Sequence, residues 1–127
     1  MPTSELEAIY AHIDANLDDH IGRLQEWIRQ PSISNTGEGL LECAKLTERY
    51  FQEIGCQHTE IYDPGITKWG ARGNPLVFGR CDVGAPRTLI LYMMYDTMPT
   101  YDPALWSSPP LAANIMPLLG FPKVLVG

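Results

Sequence analysis

Residues 88–92, Thr-Leu-Ile-Leu-Tyr, form a run that is apolar on both faces of an extended backbone. A strand of this kind is typical of the interior of a sheet whose two faces are covered by helices. We therefore expect residues 88–92 to be a central strand, paired antiparallel with a second strand at residues 76–80. The expected fold class is α/β, with two amino-terminal helices packed on a mixed β-sheet.

Two helices are predicted before these strands. Ser4 and Glu7 form a capping box, and apolar side chains then recur every three or four residues, at Leu6, Ile9, Ile13, Leu17, Ile21, Leu24 and Ile28. This periodicity predicts one long helix that ends near Gln30, because Pro31 cannot continue it. The second helix is expected over residues 39–54, with Gly55 as its left-handed terminal residue.

The remaining segments predict a short strand at residues 59–62, a glycine-rich loop at 63–74, a proline-rich connection at 99–117 and a strand at 123–126. A chain of 127 residues is within the usual size of one domain, so a single core is expected.

Charge and composition exclude several classes of function. The formal net charge of -6 has the wrong sign for a protein that binds nucleic acid or an anionic membrane. No run of residues resembles a signal peptide or a membrane span, so a cytoplasmic protein is expected. Cys43, Cys56 and Cys81 are far apart in sequence and form no C-x-x-C pair, which favours reduced thiols.

Candidate chemistry is concentrated after the predicted central strand. His12, His20 and His58 have no convincing partner and are interpreted as surface residues. Asp96 follows the strand directly, where α/β sheets commonly carry ligand sites. The alternative role of its carboxylate is to cap a turn. The neighbouring methionines are interpreted as core packing, with a soft copper(I) site as the alternative, at Met93, Met94 and Met98.

Three segments carry a resemblance to a known family: residues 24–34, which end in Pro-Ser-Ile-Ser, residues 92–99, and residues 106–111, Trp-Ser-Ser-Pro-Pro-Leu. In order and spacing they resemble the "PS-x-S", "G-H-x-D" and "W-x-x-P-P-F" motifs of the carboxypeptidase G, aminoacylase and acetylornithine deacetylase family of dinuclear zinc peptidases and deacylases. The similarity covers the amino-terminal part of that catalytic domain and implies a partial zinc-exopeptidase-like fold.

The resemblance also implies a chemistry. Family members use two divalent ions, zinc with manganese or cobalt as alternatives, and a bridging water that attacks an amide carbonyl. Asp96 matches the aspartate that supports a metal-binding histidine and is the predicted catalytic-type residue, while Met94 occupies the position of that histidine. Tyr95, Thr97 and Trp106 are candidates to lie near the substrate. The alternative for Trp106 is a buried aromatic anchor of a rigid loop.

Gly127 aligns with the first glycine of a later family motif, "G-R-G-x-x-D". The expectation is therefore that residues 1–127 are the amino-terminal portion of a metallohydrolase catalytic domain, without the dimerisation domain and with no complete metal site. The implied activity is cleavage of a C–N bond in a small N-acyl amino acid, dipeptide or related amide, with the segment inactive by itself. The alternative is a non-catalytic binding or assembly module, which associates with itself or with the rest of a parent chain through exposed apolar surface.

Overall fold

A computed structural model describes residues 3–118 and 121–126. The described residues fall into two compact units, one through Arg29 together with the chain from Ala104 onward, and one over Gln30–Pro103. That the whole chain is one portion of a single catalytic domain stays a prediction. Gly127, which the family resemblance aligned with a later motif, lies outside the described residues. No helix in the described ranges is long and apolar enough to cross a membrane.

The first unit begins with two helices, α1 (Thr3–Ala15) and α2 (Leu17–Arg29), where the sequence predicted one. Asn16 separates them. Its side-chain amide donates to the carbonyl oxygen of His12 at 2.7 Å, and its backbone N–H is shared between the carbonyl oxygens of His12 and Ile13 at 3.2 and 3.3 Å. A side chain that competes for a helical carbonyl interrupts the regular ladder. Acidic residues in the first turn of α2 then favour a new helix start.

The same unit contains a hairpin of β3 (Asn114–Leu118) and β4 (Phe121–Val126). The strands are antiparallel, with Asn114 opposite Val126, and the register shifts between Met116 and Leu118. Proline lacks an N–H and is tolerated in strands where the ladder is irregular, which fits the position of Pro117. The predicted strand at 123–126 is confirmed and starts earlier. The proline-rich connection predicted at residues 99–117 ends earlier than expected, because β3 already begins at Asn114.

The second unit is built on α3 (Leu40–Glu53), which confirms the second predicted helix. Gly39 precedes it in a left-handed conformation, with φ of 70°. At its end Gly55 is also left-handed, and the N–H groups of Gly55 and Cys56 donate to the carbonyl oxygens of Gln52 and Phe51. This is the Schellman pattern that the glycine predicted.

Helix α3 packs on a sheet of β1 (His58–Tyr62) and β2 (Leu76–Arg80), which confirms both predicted strands. They pair antiparallel with His58 opposite Arg80 and Tyr62 opposite Leu76. Gly79 faces Phe51 so closely that an added Cβ would lie 2.6 Å from the Phe51 ring. The buried apolar residues here are on α3, at Leu40, Cys43 and Ala44.

The expectation that residues 88–92 form a central strand is wrong. They form no strand, and β2 pairs with β1 instead of with them. Leu89, Ile90 and Leu91 are 80%, 86% and 74% exposed, so this segment is not a covered central strand. An apolar pattern indicates what a segment can bury, but a strand exists only when a neighbour supplies the ladder hydrogen bonds, and no described strand does so.

The α/β class is confirmed. The described residues contain three α-helices where two were expected. Both described sheets are antiparallel pairs, and parallel pairing among the described residues occurs only at the isolated bridge between Ile33 and Thr97.

Candidate functional site

The loop after α2 lies directly beside the segment that contains Asp96. The hydroxyl of Ser32 donates to the carbonyl oxygen of Tyr95 at 2.9 Å, and the N–H of Thr97 donates to the carbonyl oxygen of Ser32 at 2.9 Å. The N–H and hydroxyl of Ser34 both donate to the carbonyl oxygen of Thr97, at 3.1 and 3.2 Å. Two segments that carried the family resemblance are therefore joined by hydrogen bonds on both sides of Asp96.

The conformation of the loop explains why these serines can reach across. The N–H of Ile33 donates to the carbonyl oxygen of Glu38, and the N–H of Gly37 donates to that of Ile33, both at 2.9 Å. The Gln30 amide also donates to the carbonyl oxygen of Pro31 at 3.0 Å. The loop is thus closed on itself before α3 starts. The hydroxyls of Ser32 and Ser34 can therefore donate to the carbonyl oxygens of Tyr95 and Thr97.

Asp96 lies between the two tied residues, so its backbone is fixed while its side chain is exposed. The carboxylate makes no hydrogen bond to a described residue, which removes support for the turn-capping alternative. A carboxylate held at a fixed backbone position with free oxygens can accept a hydrogen bond from a group outside this chain. Its role as a catalytic-type residue stays a prediction.

Tyr95 connects this segment to the sheet. Its hydroxyl donates to the carbonyl oxygen of Pro75 at 2.7 Å, immediately before β2. Desolvation raises the pKa of Tyr95 to about 12, with smaller contributions from Cys43 and the nearby negative charge of Asp96. The phenol therefore remains a neutral donor throughout the physiological range and positions the segment.

The metal chemistry implied by the resemblance does not fit this chain alone. No group of three or more His, Cys, Asp or Glu residues that could hold a metal ion occurs in the described ranges. Met94, which the sequence resemblance aligns with the first metal ligand of that family, has a side chain that is 75% exposed and offers a thioether, which is a weak ligand for zinc. Met93 and Met98 are also exposed, at 74% and 64%, so the expectation that these methionines pack in a core is wrong.

Trp106 belongs to the first unit and is 43% exposed, so it is not the buried aromatic anchor considered as its alternative. The buried residues that follow it are Ser108 and Ala113. The Ser108 hydroxyl accepts from the Asn114 amide at 2.8 Å, and the Gln25 amide donates to the carbonyl oxygen of Ala113 at 2.8 Å. Side chains of α2 and β3 therefore hold this loop.

The three histidines are exposed, as the sequence predicted. Sequence reasoning missed the two hydrogen bonds that join Ser32 to Tyr95 and Thr97, which we call the Ser32 clamp. It also missed the proximity of Cys56 to Cys81, whose sulfur atoms are 3.0 Å apart. The repeated serine of the Pro-Ser-Ile-Ser segment was the available signal for the first. Nothing in the spacing of the cysteines indicated the second.

Among solved structures, the chain is similar to the M20 family metallo-carboxypeptidase Sso-CP2 from Sulfolobus solfataricus, with 29% identity and a TM-score of 0.63. The match covers 73% of this chain and 20% of the carboxypeptidase, so the chain spans about a fifth of that protein's length. No protein-family model matches the chain. No curated protein matches it either. The structural match supports the M20 peptidase superfamily and a metallopeptidase-like, hydrolase-type fold, in a family that uses a divalent metal.

Proposed function

We propose that this chain is the amino-terminal portion of the catalytic domain of a metal-dependent hydrolase of the carboxypeptidase G, aminoacylase and acetylornithine deacetylase type. The substrate is a small N-acyl amino acid, a dipeptide or a related amide, and the reaction is hydrolysis of its C–N bond. The supporting observation is the clamp between Ser32 and residues 95–97, in a fold similar to an M20 metallo-carboxypeptidase. The cellular location that goes with this function is the cytoplasm.

Asp96 is the residue to which we assign a role. Its backbone is held on both sides by bonds to Ser32 and Ser34, and its carboxylate faces solvent with its acceptors available. A carboxylate so placed orients a neighbouring ligand group by accepting its N–H, and this raises the basicity of that group. The metal, zinc or alternatively manganese or cobalt, needs ligands beyond the described residues. The chain is therefore inactive by itself.

Three other residues are proposed to lie near the substrate. Thr97 neighbours Asp96 and has an exposed side chain, while its backbone is tied to Ser32 and Ser34. The hydroxyl of Tyr95 is engaged with Pro75, so its contribution is to position the segment. Trp106 offers an exposed aromatic surface, which suits contact with the acyl or side-chain part of a substrate.

The second candidate function is a non-catalytic binding or assembly module of the same ancestry. Met94 at the ligand position and the exposed apolar residues of the segment 89–94 favour it. The partner would be a second copy of the chain or the rest of a parent chain. Nucleic acid is not a proposed partner, because the net charge is -6.

Metal content and turnover of the protein purified from its source separate the two functions. The hydrolase predicts stoichiometric zinc, manganese or cobalt and hydrolysis of N-acyl amino acids or dipeptides. A folded protein that is metal-free and inactive on this panel would instead favour the binding module.

The role of Asp96 is tested in the same protein by Asp96→Asn. Loss of a carboxylate that orients a metal ligand typically weakens metal affinity by about 10- to 100-fold. Asp14→Asn is the matched control, because Asp14 is an exposed carboxylate on α1. Equal metal affinity and turnover in the two variants would remove Asp96 from the site.

A further inference from the structure

Two of the three thiols in this chain lie together on the surface of the second unit. The sulfur atoms of Cys56 and Cys81 are 3.0 Å apart and share a hydrogen bond. Cys56 is half-buried and Cys81 is exposed, while Cys43 is buried in α3 with 1% of its surface exposed. The pair is accessible to small reagents and the third thiol is not.

The fold fixes both partners through their backbones. Cys56 is held by the Schellman pattern at the end of α3, where its N–H donates to the carbonyl oxygen of Phe51 at 2.9 Å. Cys81 follows β2, and the N–H of Gln57 donates to the carbonyl oxygen of Arg80 at 3.0 Å. The side chain of Gln57 also accepts from the N–H of Asp82 at 2.8 Å. The antiparallel register of β1 and β2 therefore brings the two thiols together.

We propose that Cys56 and Cys81 are a redox modification site. The two thiols form a reversible intramolecular disulfide with each other, and a low-molecular-weight disulfide of the glutathione type is the oxidant. The backbone around each cysteine is already held by these hydrogen bonds, and the two sulfur atoms are 3.0 Å apart, so closing the bond needs only a small movement of two side chains. A covalent bond of about 2.05 Å replaces the present hydrogen-bonded contact.

The exchange takes place in two balanced steps. The Cys81 thiolate attacks one sulfur of the small disulfide, forms a mixed disulfide and displaces one glutathione thiolate. The Cys56 thiolate then attacks the Cys81 sulfur and displaces the second glutathione thiolate. The two protein thiols lose two protons and two electrons, and the small disulfide is reduced to two thiols. The hydrogen bond to Cys81, aided by burial, raises the pKa of Cys56, which favours exposed Cys81 as the first nucleophile.

The product joins the end of α3 to the end of β2. The two cysteines are 25 residues apart in sequence, so the cross-link closes a loop that contains the whole β1–β2 hairpin. A loop of this size restricts the unfolded chain and stabilises the folded unit. Oxidation therefore increases the stability of the unit that contains Asp96, independently of any metal chemistry.

The test is equilibration of the 127-residue chain with a series of reduced and oxidised glutathione mixtures, followed by acid quenching, alkylation and peptide mapping. A native protein should lose two hydrogen atoms and yield one cross-linked peptide pair containing Cys56 and Cys81. The equilibrium constant for forming the Cys56–Cys81 disulfide by exchange with oxidised glutathione should be at least about tenfold higher in native buffer than in guanidinium chloride. Folding raises the effective concentration of one thiol at the other.

Three results would overturn the proposal: equal constants in the folded and unfolded chain, a disulfide that includes Cys43, or only mixed and intermolecular disulfides. Cys56→Ser and Cys81→Ser serve as matched variants. Each should stop at the mixed disulfide, and the melting temperature of each should no longer rise on oxidation as that of the wild type does. The readouts involve neither metal nor turnover, so they are separate from the proposed hydrolase function.

Discussion

The hydroxyl of Ser32 donates a 2.9 Å hydrogen bond to the carbonyl oxygen of Tyr95, although the two residues are 63 positions apart in sequence. Ser32 is 3% exposed, so this bond is shielded from water at the serine. Together with the bond from the N–H of Thr97 to the carbonyl oxygen of Ser32, it fixes the backbone on both sides of Asp96. The position of the candidate site residue therefore depends on a serine in a distant loop.

Ser32→Ala should destabilise the chain by about 1–3 kcal/mol, because it leaves the Tyr95 carbonyl oxygen without its buried donor. Ser34→Ala is the matched control. Its hydroxyl bond to the Thr97 carbonyl oxygen is exposed, so water can replace it, and the expected change is about 0.5 kcal/mol or less. Urea unfolding of both variants measures the difference. Equal losses would show that the Ser32 clamp contributes no more than a surface contact.

Gly79→Ala should destabilise the second unit by about 1–3 kcal/mol, the usual cost of an added methyl group in a packed interface. The new Cβ would lie 2.6 Å from the ring of Phe51, so α3 or β2 must move. Gly22→Ala, on α2, has nothing within 4 Å of the added atom and should gain about 0.5–1 kcal/mol from higher helix propensity. Thermal unfolding of the two variants should therefore shift in opposite directions, and a neutral Gly79→Ala would contradict the packing of α3 on β2.

Burial of the Tyr95 phenol should make stability depend on pH in the alkaline range. Its pKa is raised from the ordinary value of 10.0 to about 12, so the folded chain holds this proton more tightly than the unfolded chain does. The stabilisation that comes from holding the Tyr95 phenol in its protonated form is fully present below pH 10 and is lost as the pH rises towards 12.

The free energy of unfolding of the wild type, relative to that of Tyr95→Phe, should therefore decrease over this range. Urea unfolding at a series of pH values measures it, and Tyr10→Phe, at an exposed tyrosine, provides the control. A difference between wild type and Tyr95→Phe that stays constant with pH would contradict the buried donor role.

The exposed apolar segment 89–94 should make the isolated chain associate with itself. Leu89 and Leu91 are 80% and 74% exposed, and removing such surface from water is favourable. Replacing both with lysine should reduce the association that sedimentation velocity detects as a function of concentration. Two controls distinguish an effect of where the lysines are placed from an effect of the added charge. Leu105→Lys adds a lysine at a residue that is 84% exposed elsewhere, and wild type at high salt screens charge effects. A chain that remains monomeric at all concentrations would contradict this expectation.

Local signals in the sequence predicted α3, β1 and β2 well. Pro31 and Gly55 mark the chain where it must leave a helix, and each acts through its own backbone. The break at Asn16 was missed because it depends on one side chain competing for the carbonyl oxygen of His12. That competition is not visible in the spacing of apolar residues.

Pairing and burial were harder to predict, since both depend on distant parts of the chain. The apolar run at 88–92 was expected to pair with β2, but β2 pairs with β1, and the run is left exposed. For the candidate site, the sequence identified the segment around Asp96 through its motif resemblance. The clamp from Ser32 and the bond from Tyr95 to Pro75 required the structure, because residues far apart in sequence form them.

The intact mass of the protein as its source cell produces it tests most directly whether this chain is part of a larger hydrolase. The 127 residues alone have a mass of 14.2 kDa, and 73% of them match 20% of an M20 metallo-carboxypeptidase. A mass several-fold larger is the result expected for a catalytic domain that supplies the remaining metal ligands. A mass near 14.2 kDa would contradict the hydrolase and leave the binding module as the function to pursue.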